Sequence, residues 1–355
     1  MLENRCESLL ASFYEVNDSI FQSRERGSAK GDSLKVLQHN SLDPIQSLNS
    51  QSSLTIGNFD GCHLGHQKLL EIARSIASEK NASTTVLTFD PHPREFFAPE
   101  IDLPRLFQPE QKLRALAEQN VDVLMIQKFD KDFAQLTPEE FCKKLVWGQL
   151  KAMAVTVGYD FRFGKGRAGK LEDFNEYLPH AIINEVGEVI VDGDVVSSSA
   201  IRKHLQASDI RRANALLGRA YLLEGKIQKG KQLGRKLGFP TANIQVEHQM
   251  LPKAGVYCGW ATLEMNSPIF NIPANRIPCI MNIGYRPTIE QATPQLLVET
   301  HLLAGEYAED SLYGLPISIY ITDHIRGEKK FESLDALKEQ IQVDSQAAKS
   351  ILGCS

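Results

Sequence analysis

Leu54-Thr55-Ile56-Gly57-Asn58-Phe59-Asp60-Gly61-Cys62-His63-Leu64-Gly65-His66 is the stretch that fixes how the first half of the chain is read. An apolar, β-branched run ends at Gly57 and a glycine-rich turn follows. Leu69, Leu70, Ile72, Ala73 and Ile76 then recur at helical spacing. Strand, tight turn and helix start, in that order, aim backbone N–H groups and a positive helix end at a phosphate. His63 and His66 stand three apart where the helix begins, so both rings can face one ligand. Gly61 and Gly65 keep side chains away and let a nucleotide come close to the main chain. A bare His-x-x-His equally suits surface or zinc-binding histidines. Inside Gly-Asn-Phe-Asp-Gly-x-His-x-Gly-His the balance shifts to a ligand site, because Gly, Asp and His together are poor core material.

The His-x-Gly-His pattern resembles the signature of the nucleotidyltransferase superfamily, which moves a nucleoside monophosphate from a triphosphate onto a phosphate acceptor. That chemistry asks the protein for in-line positioning and for stabilisation of the charge on the equatorial oxygens, not for a covalent nucleophile. Two imidazoles and a helix N-terminus suit it.

With 355 residues the chain has room for two domains of roughly 150 residues each. A net charge of -5 argues against a nucleic-acid binder, which should carry a basic face. The six cysteines, Cys6, Cys62, Cys142, Cys258, Cys279 and Cys354, form no Cys-x-x-Cys pair. Neither a zinc ribbon nor a disulfide framework is indicated, and a reducing cytoplasm fits best. No apolar run approaches the roughly 18 residues needed to span a bilayer, and Glu3 and Glu7 interrupt any secretory signal. Residues 1–32 read as an extension: a short helix with Leu9, Leu10, Phe13 and Ile20 on one side, then a flexible link around Gly27 to Gly31.

From Leu54 strands and helices alternate. A second buried strand, 83–89, breaks at Asp90-Pro91-His92-Pro93, since no strand interior accepts two prolines. Residues 111–119 read as helix and 121–126 as strand. Residues 138–150 read as a helix opened by Thr137 as N-cap with Glu140 at the capping-box position, and 155–158 as a further strand. This order predicts a Rossmann-like parallel sheet with ligands at the carboxyl ends of its strands. Gly164 to Lys170 contains a G-x-G-x-x-G and nearly a Walker A loop. The first lacks its strand-to-helix setting, and the second fails at Leu171, where a hydroxyl should meet Mg²⁺. The segment is read as a mobile, basic flap.

Ser197, Ser198 and Ser199 at a helix start, with Arg202 about one turn in, suit an anion: caps and N–H groups below, a guanidinium fork beside. Alone, the same residues would make an ordinary cap with a solvated Arg. With His-x-Gly-His upstream, the chain resembles the bacterial bifunctional riboflavin kinase/FMN adenylyltransferase (FAD synthetase) family. Gly57-Asn58-Phe59-Asp60-Gly61, Thr88-Phe89-Asp90-Pro91-His92-Pro93 and Gly158-Tyr159-Asp160-Phe161-Arg162-Phe163-Gly164 match that family's blocks.

After a helix over 209–217 ending at Gly218, the pattern changes to period-two strands: 256–263, 278–283, 295–303 and 317–322. Ile317, Ile319 and Ile321 alternate strictly with Ser318, Tyr320 and Thr322. Strands with little helix between them predict an antiparallel β-barrel. Two C-terminal helices are expected, one with a Leu334, Leu337, Ile341 stripe and one with Ala347, Ala348 and Ile351. Between the first strands, 225–243 carries glycines and basic residues that either form a phosphate cradle or a solvated loop. Thr241 and Asn243 beside it offer hard oxygens that Mg²⁺ on ATP phosphates would accept. Glu299 interrupts an apolar strand, so it either faces solvent or is held to accept a proton from a hydroxyl.

The resemblance extends to this half through Gly238-Phe239-Pro240-Thr241-Ala242-Asn243, Asn282-Ile283-Gly284-Tyr285-Arg286-Pro287-Thr288 and Glu299-Thr300-His301-Leu302. It implies phosphorylation of riboflavin by MgATP in the second domain and AMP transfer from ATP to FMN in the first. Catalytic roles fall on His63, His66, Arg202 and Glu299, the last as general base. ATP and phosphate would meet Gly57, Asn58, Phe59, Asp60, Gly61, Ser198 and Ser199 in one site, and Gly230, Lys231, Gly234, Arg235, Pro240, Thr241 and Asn243 in the other. Flavin contacts fall on Asp90, His92, Asp160, Arg326 and Phe331. Mg²⁺ would be held by Thr241 and Asn243, with riboflavin, FMN and FAD as substrate, intermediate and product. The domains implied are 33–207 (adenylyltransferase), 208–217 (linker helix) and 218–355 (kinase). Small-molecule substrates, no nucleic acid, no membrane and at most weak self-association complete the expectation. Cys62, Leu64, Ser199 and Ala304-Gly305 depart from the family's usual residues.

Overall fold

The computed structural model describes residues 34–39, 48, 50–100, 103–229, 239, 241–264, 266–286, 295–305 and 311–354. The expected N-terminal helix and link, and Gly230, Lys231, Gly234, Arg235 and Pro240, lie outside the described residues. The chain forms two compact units. One draws on residues up to 103 and on 112–190; the other draws on 104–111 and on 191 onward.

The first unit is built on β1 (Lys35–His39), β2 (Ser52–Ile56), β3 (Ser83–Asp90), β4 (Val123–Lys128), β5 (Ala152–Gly158) and β6 (Ile182–Val186). All pair in parallel, in the order β1-β4-β3-β2-β5-β6. Central β2 is buried along its whole length, as expected of a strand with a parallel neighbour on each side. The helix Leu64–Lys80 buries Leu69, Leu70 and Ala73 of the expected stripe together with Ala77, while Ile72 and Ile76 are only half-buried, and it ends on Asn81 in the left-handed region. Edge strands β1 and β6 are short and were not anticipated. The expected helix 138–150 keeps its capping box, Thr137 with Glu140, but past Pro138–Glu140 it widens into a π-helix, Phe141–Gln149.

The glycine-rich segment read as a flap is instead a closed knot. Phe163 and Gly169 exchange both backbone hydrogen bonds (3.2 and 2.8 Å), and Lys165 N–H donates to Leu136 O at 2.7 Å. The Phe163 ring, 5% exposed, stacks 4.4 Å from Phe174. Lys165, Arg167 and Lys170 do face water, but Phe163 anchors the loop in the core, so it is not free to swing as a flap.

In the second unit a two-stranded hairpin, β7 (Ile190–Val191) with β8 (Asp194–Val195), is followed by the helices Ser198–Gln206 and Ile210–Leu217. Then β9 (Tyr221–Gln228), β10 (Ala242–Gln245), β11 (Gly255–Thr262), β12 (Ile277–Arg286), β13 (Gln295–Leu302) and β14 (Pro316–Gly327) close an antiparallel barrel in the order β10-β13-β12-β11-β14-β9. On β12 and β13, buried Met281, Ile283, Val298 and Thr300 alternate with exposed Asn282 and Glu299. On β14 both faces are covered. Ser318 Oγ donates to Glu264 O (2.9 Å) and Tyr320 OH to Pro268 O (2.6 Å), so these two are buried as well, and Thr322 is half-buried.

Residues 104–111 belong to this unit through glutamine amides. Gln111 Nε2 donates to Leu222 O (3.3 Å), Gln249 Nε2 to Leu106 O (3.0 Å), and Gln108 Nε2 to Glu224 O (3.2 Å). The two expected C-terminal helices are one, Leu334–Leu352. No Gly or Pro breaks it, and the change of stripe reflects a buried polar residue, Asp344, at its middle.

Candidate active site

The turn after β2 is held tightly. Gly57 N–H donates to Leu87 O (3.0 Å), Cys62 N–H to Phe59 O (3.2 Å), Gln67 Nε2 to Cys62 O (2.9 Å) and Thr88 Oγ1 to Asn58 O (3.4 Å). Phe59 (φ 50), Gly61 (φ 80) and Cys62 (φ 37) all lie at positive φ. For the two non-glycine residues that costs about 1–3 kcal/mol each, strain of the kind that clusters at working sites. Phe59 and Cys62 are fully buried, so the Phe59 ring supports the turn from within. A Cβ at Gly57 would stand 3.3 Å from the Phe59 ring, close enough that this position favours glycine.

His63 is both N-cap and ligand candidate: its Nδ1 accepts from His66 N–H at 3.4 Å. With Nδ1 accepting, the neutral ring carries its proton on Nε2. The His63 and His66 rings stack at 3.7 Å and 16°, and His66 leans on Phe59 at 4.9 Å. Both imidazoles thus stand as one block at the positive end of a seventeen-residue helix. β2 is the strand at which the sheet order reverses, with β3 on one side and β5 on the other. The crevice beyond such a switch point is where open α/β sheets bind ligands.

The neighbouring carboxyl ends carry further expected residues. Half-buried Asp90 ends β3, and His92 caps the short helix Pro93–Phe97, its Nδ1 accepting from Arg94 N–H at 3.0 Å. Phe96 and Phe97 meet Phe129, just past β4, edge-on at 5.3 and 5.7 Å, and Phe97 is 66% exposed. Exposed Asp160 follows β5. In the second unit Ser197, not Ser198 or Ser199, caps its helix, accepting from Ala200 N–H at 3.1 Å. Arg202 Nε donates to Pro104 O at 2.8 Å.

On the barrel, register makes a site that spacing alone did not show. Glu299 pairs with Asn243 on β10 and with Asn282 on β12. Asn282 pairs with Val256, which pairs with Arg326 on β14. Arg326, Asn282, Glu299 and Asn243 therefore share one rung, with side chains of directly paired strands about 5 Å apart at Cβ. Thr241 lies two residues before Asn243, immediately ahead of β10. Phe239 meets His301 edge-on at 5.5 Å. Glu299 is exposed and Asn243 is 8% exposed. Arg326 is committed to Asp344: Nε lies 3.0 and 3.1 Å from its two carboxylate oxygens and Nη2 2.8 Å from one. Its guanidinium also lies 5.6 Å from the Phe331 ring.

Two family models match the chain, FAD synthetase over residues 45–200 and riboflavin kinase over 217–352. The bifunctional riboflavin kinase/FMN adenylyltransferase of Escherichia coli K12 is 36% identical over 302 residues, covering 84% of this chain and 92% of that protein. The protein of that name from Bacillus subtilis is 34% identical over 308 residues, covering 86% and 93%. The chain belongs to the bifunctional riboflavin kinase/FMN adenylyltransferase family. A solved macrolide-efflux protein from Streptococcus pneumoniae shares the fold, with TM-score 0.77 at 24% identity over 89% of this chain and 99% of that one.

Within that family frame, the His63–His66 block lies in the FAD-synthetase match and the Glu299 rung in the riboflavin-kinase match. Asn282 and Asp344 were not singled out from sequence. Asn282 is recognisable once strand register is known, because it is the polar residue opposite Glu299. Among the described residues no group of three or more His, Cys, Asp or Glu is arranged to hold a metal ion, and no helix is long and apolar enough to cross a membrane.

Proposed function

We infer that this chain makes FAD from riboflavin in two ATP-dependent steps. In the first, the ribityl 5′-oxygen of riboflavin attacks the γ-phosphorus of ATP. An O–P bond forms, the bond to the β-phosphate oxygen breaks, ADP leaves, and the hydroxyl proton passes to Glu299. In the second, an FMN phosphate oxygen attacks the α-phosphorus of another ATP, forming a phosphoanhydride and releasing pyrophosphate. His63 and His66 donate hydrogen bonds to the oxygens on which charge builds, beside the helix N-terminus.

The supporting observation is that each unit holds its own phosphate-handling groups: a stacked imidazole pair on a strained turn in one, and a carboxylate opposite a buried asparagine in the other. We assign adenylyl transfer to 33–207, with 208–217 as linker, and phosphorylation to 218–355; within 33–207, residues 104–111 and 191–207 pack in the barrel's unit and not in that of the parallel sheet. In this assignment Ser198, Ser199 and Arg202 favour ATP phosphates. Asp90, His92, Asp160 and the Phe96–Phe97 ledge favour the flavin of FMN, the ledge offering exposed aromatic area to a planar ring.

The oxygen-only donors Thr241 and Asn243 fit a hard divalent cation. Mg²⁺ held by them together with ATP would neutralise phosphate charge during phosphoryl transfer. The five described cysteines are free thiols, in keeping with a reducing cytoplasm. Incubation of the purified protein with riboflavin, ATP and Mg²⁺, followed by chromatography of the flavins, should yield both FMN and FAD. Absence of FAD would overturn the two-step reading.

A further inference from the structure

The long helix Leu334–Leu352 buries a carboxylate on the inner face where Ala348, Ile341 and Leu352 pack. Asp344 is 2% exposed, while Leu334, Val343 and Ile351 are 56%, 61% and 41% exposed. Asp344 is satisfied by Arg326, as described above, and by Gln340 one turn before it, whose Nε2 donates to Oδ1 at 3.0 Å. A buried carboxylate–guanidinium pair adds little stability over well-packed apolar residues of similar size. Its value lies in direction. Arg326 sits on the Glu299 rung, donates from Nη1 to Gly327 O (3.0 Å), and lies against Phe331. It therefore ties the segment that leaves β14, Gly327 to Phe331, back against the barrel.

That segment reaches the rung. At Gly284, two residues along β12 from Asn282, a Cβ would stand 2.5 Å from Glu328 Oε1 and 3.3 Å from Asn282 Nδ2. The Glu328 carboxylate thus lies over the bare Gly284 backbone, where a side chain would have to displace it. Asn282 thus has Glu299 on one side and Glu328 on the other, and Phe331 follows three residues later in the same tied segment.

We propose that Asp344 is a positioning residue for the phosphorylation step. Through Arg326 it fixes the wall formed by Glu328 and Phe331 beside Glu299, so that the hydroxyl-bearing acceptor, and not ATP, meets a preformed surface. The proposal rests on the kinase reading of the barrel. In full-length protein, Asp344→Asn keeps the shape and removes the charge. The KM for riboflavin should rise about tenfold, as expected when a misplaced wall weakens one substrate's binding. The KM for ATP and the rate of FAD formation from supplied FMN should not change. Adding Asp344→Asn to Arg326→Gln should cause little further loss, because the two act through one contact.

Glu328→Gln is the second variant. The residue is exposed, so the fold is not at risk, and the riboflavin KM should rise about threefold with the melting temperature unchanged. If Asp344→Asn fails to fold, Glu328→Gln decides. An unchanged riboflavin KM in either variant, or an equal rise in both KM values, overturns the proposal. A wild-type protein that makes no FMN would instead remove the kinase reading beneath it.

Discussion

The turn after β2 and the rung across β10, β13 and β12 both present groups to phosphate, but by opposite means. The first packs its chemistry into ten consecutive residues, Gly57 to His66, and holds them with positive-φ backbone, a fully buried phenylalanine and a helix end. The second draws single residues from strands far apart in sequence and aligns them only through antiparallel register. A turn site concentrates strain and direct backbone contact in one place. A rung site has relaxed backbone and depends on the whole barrel keeping its pairing.

This contrast can be broken most directly with His66→Ala. Removing one of two stacked donors at the site of charge build-up should lower FAD formation from FMN by about 10³ while riboflavin phosphorylation continues, both read by flavin chromatography. Glu299→Gln is the mirror experiment. It should lower FMN formation by about 10², and leave conversion of supplied FMN to FAD intact. If either substitution silenced both steps, the two sites would not be independent.

Two smaller effects test how firmly the first unit is tied. Gly164 has φ +70, and a Cβ there would stand 2.9 Å from Pro138 N. Gly164→Ala should therefore destabilise the protein by about 2 kcal/mol in urea unfolding, where a loose flap would tolerate it. Burial pushes the Cys142 thiol from 9.0 up to about 12. An acid raised in the fold stabilises fully below its unfolded value and loses that contribution as pH climbs past it. Urea midpoints of the wild type should thus decline from about pH 9 upward towards about pH 12, more steeply than those of Cys142→Ala.

What the sequence disclosed follows the same contrast. The turn site could be read because its glycines, aspartate and histidines are contiguous and lie between a β-branched run and a helical stripe. Glu299 and Asn243 were each noticed, but their pairing was not, since register is settled by closure of the barrel and not by any local pattern. Asp344 was missed because a carboxylate midway along a helix reads as solvated surface, and only the helix's packing turns it inward. The glycine-rich knot was misjudged for a related reason. Its basic residues suggest exposure, while the single inward Phe163 decides its state.

The glutamine-tethered segment 104–111 has a consequence for dissection. Because the chain leaves the first unit at 103, re-enters it at 112 and departs again near 190, a barrel fragment begun at 217 lacks a peptide that its own β9 carbonyls are bonded to. One protease nick near 190 would likewise leave residues 104–111 on the amino-terminal piece, still clasped by the other. Genetic separation of the two activities is therefore better attempted by point substitution than by cutting the gene in two.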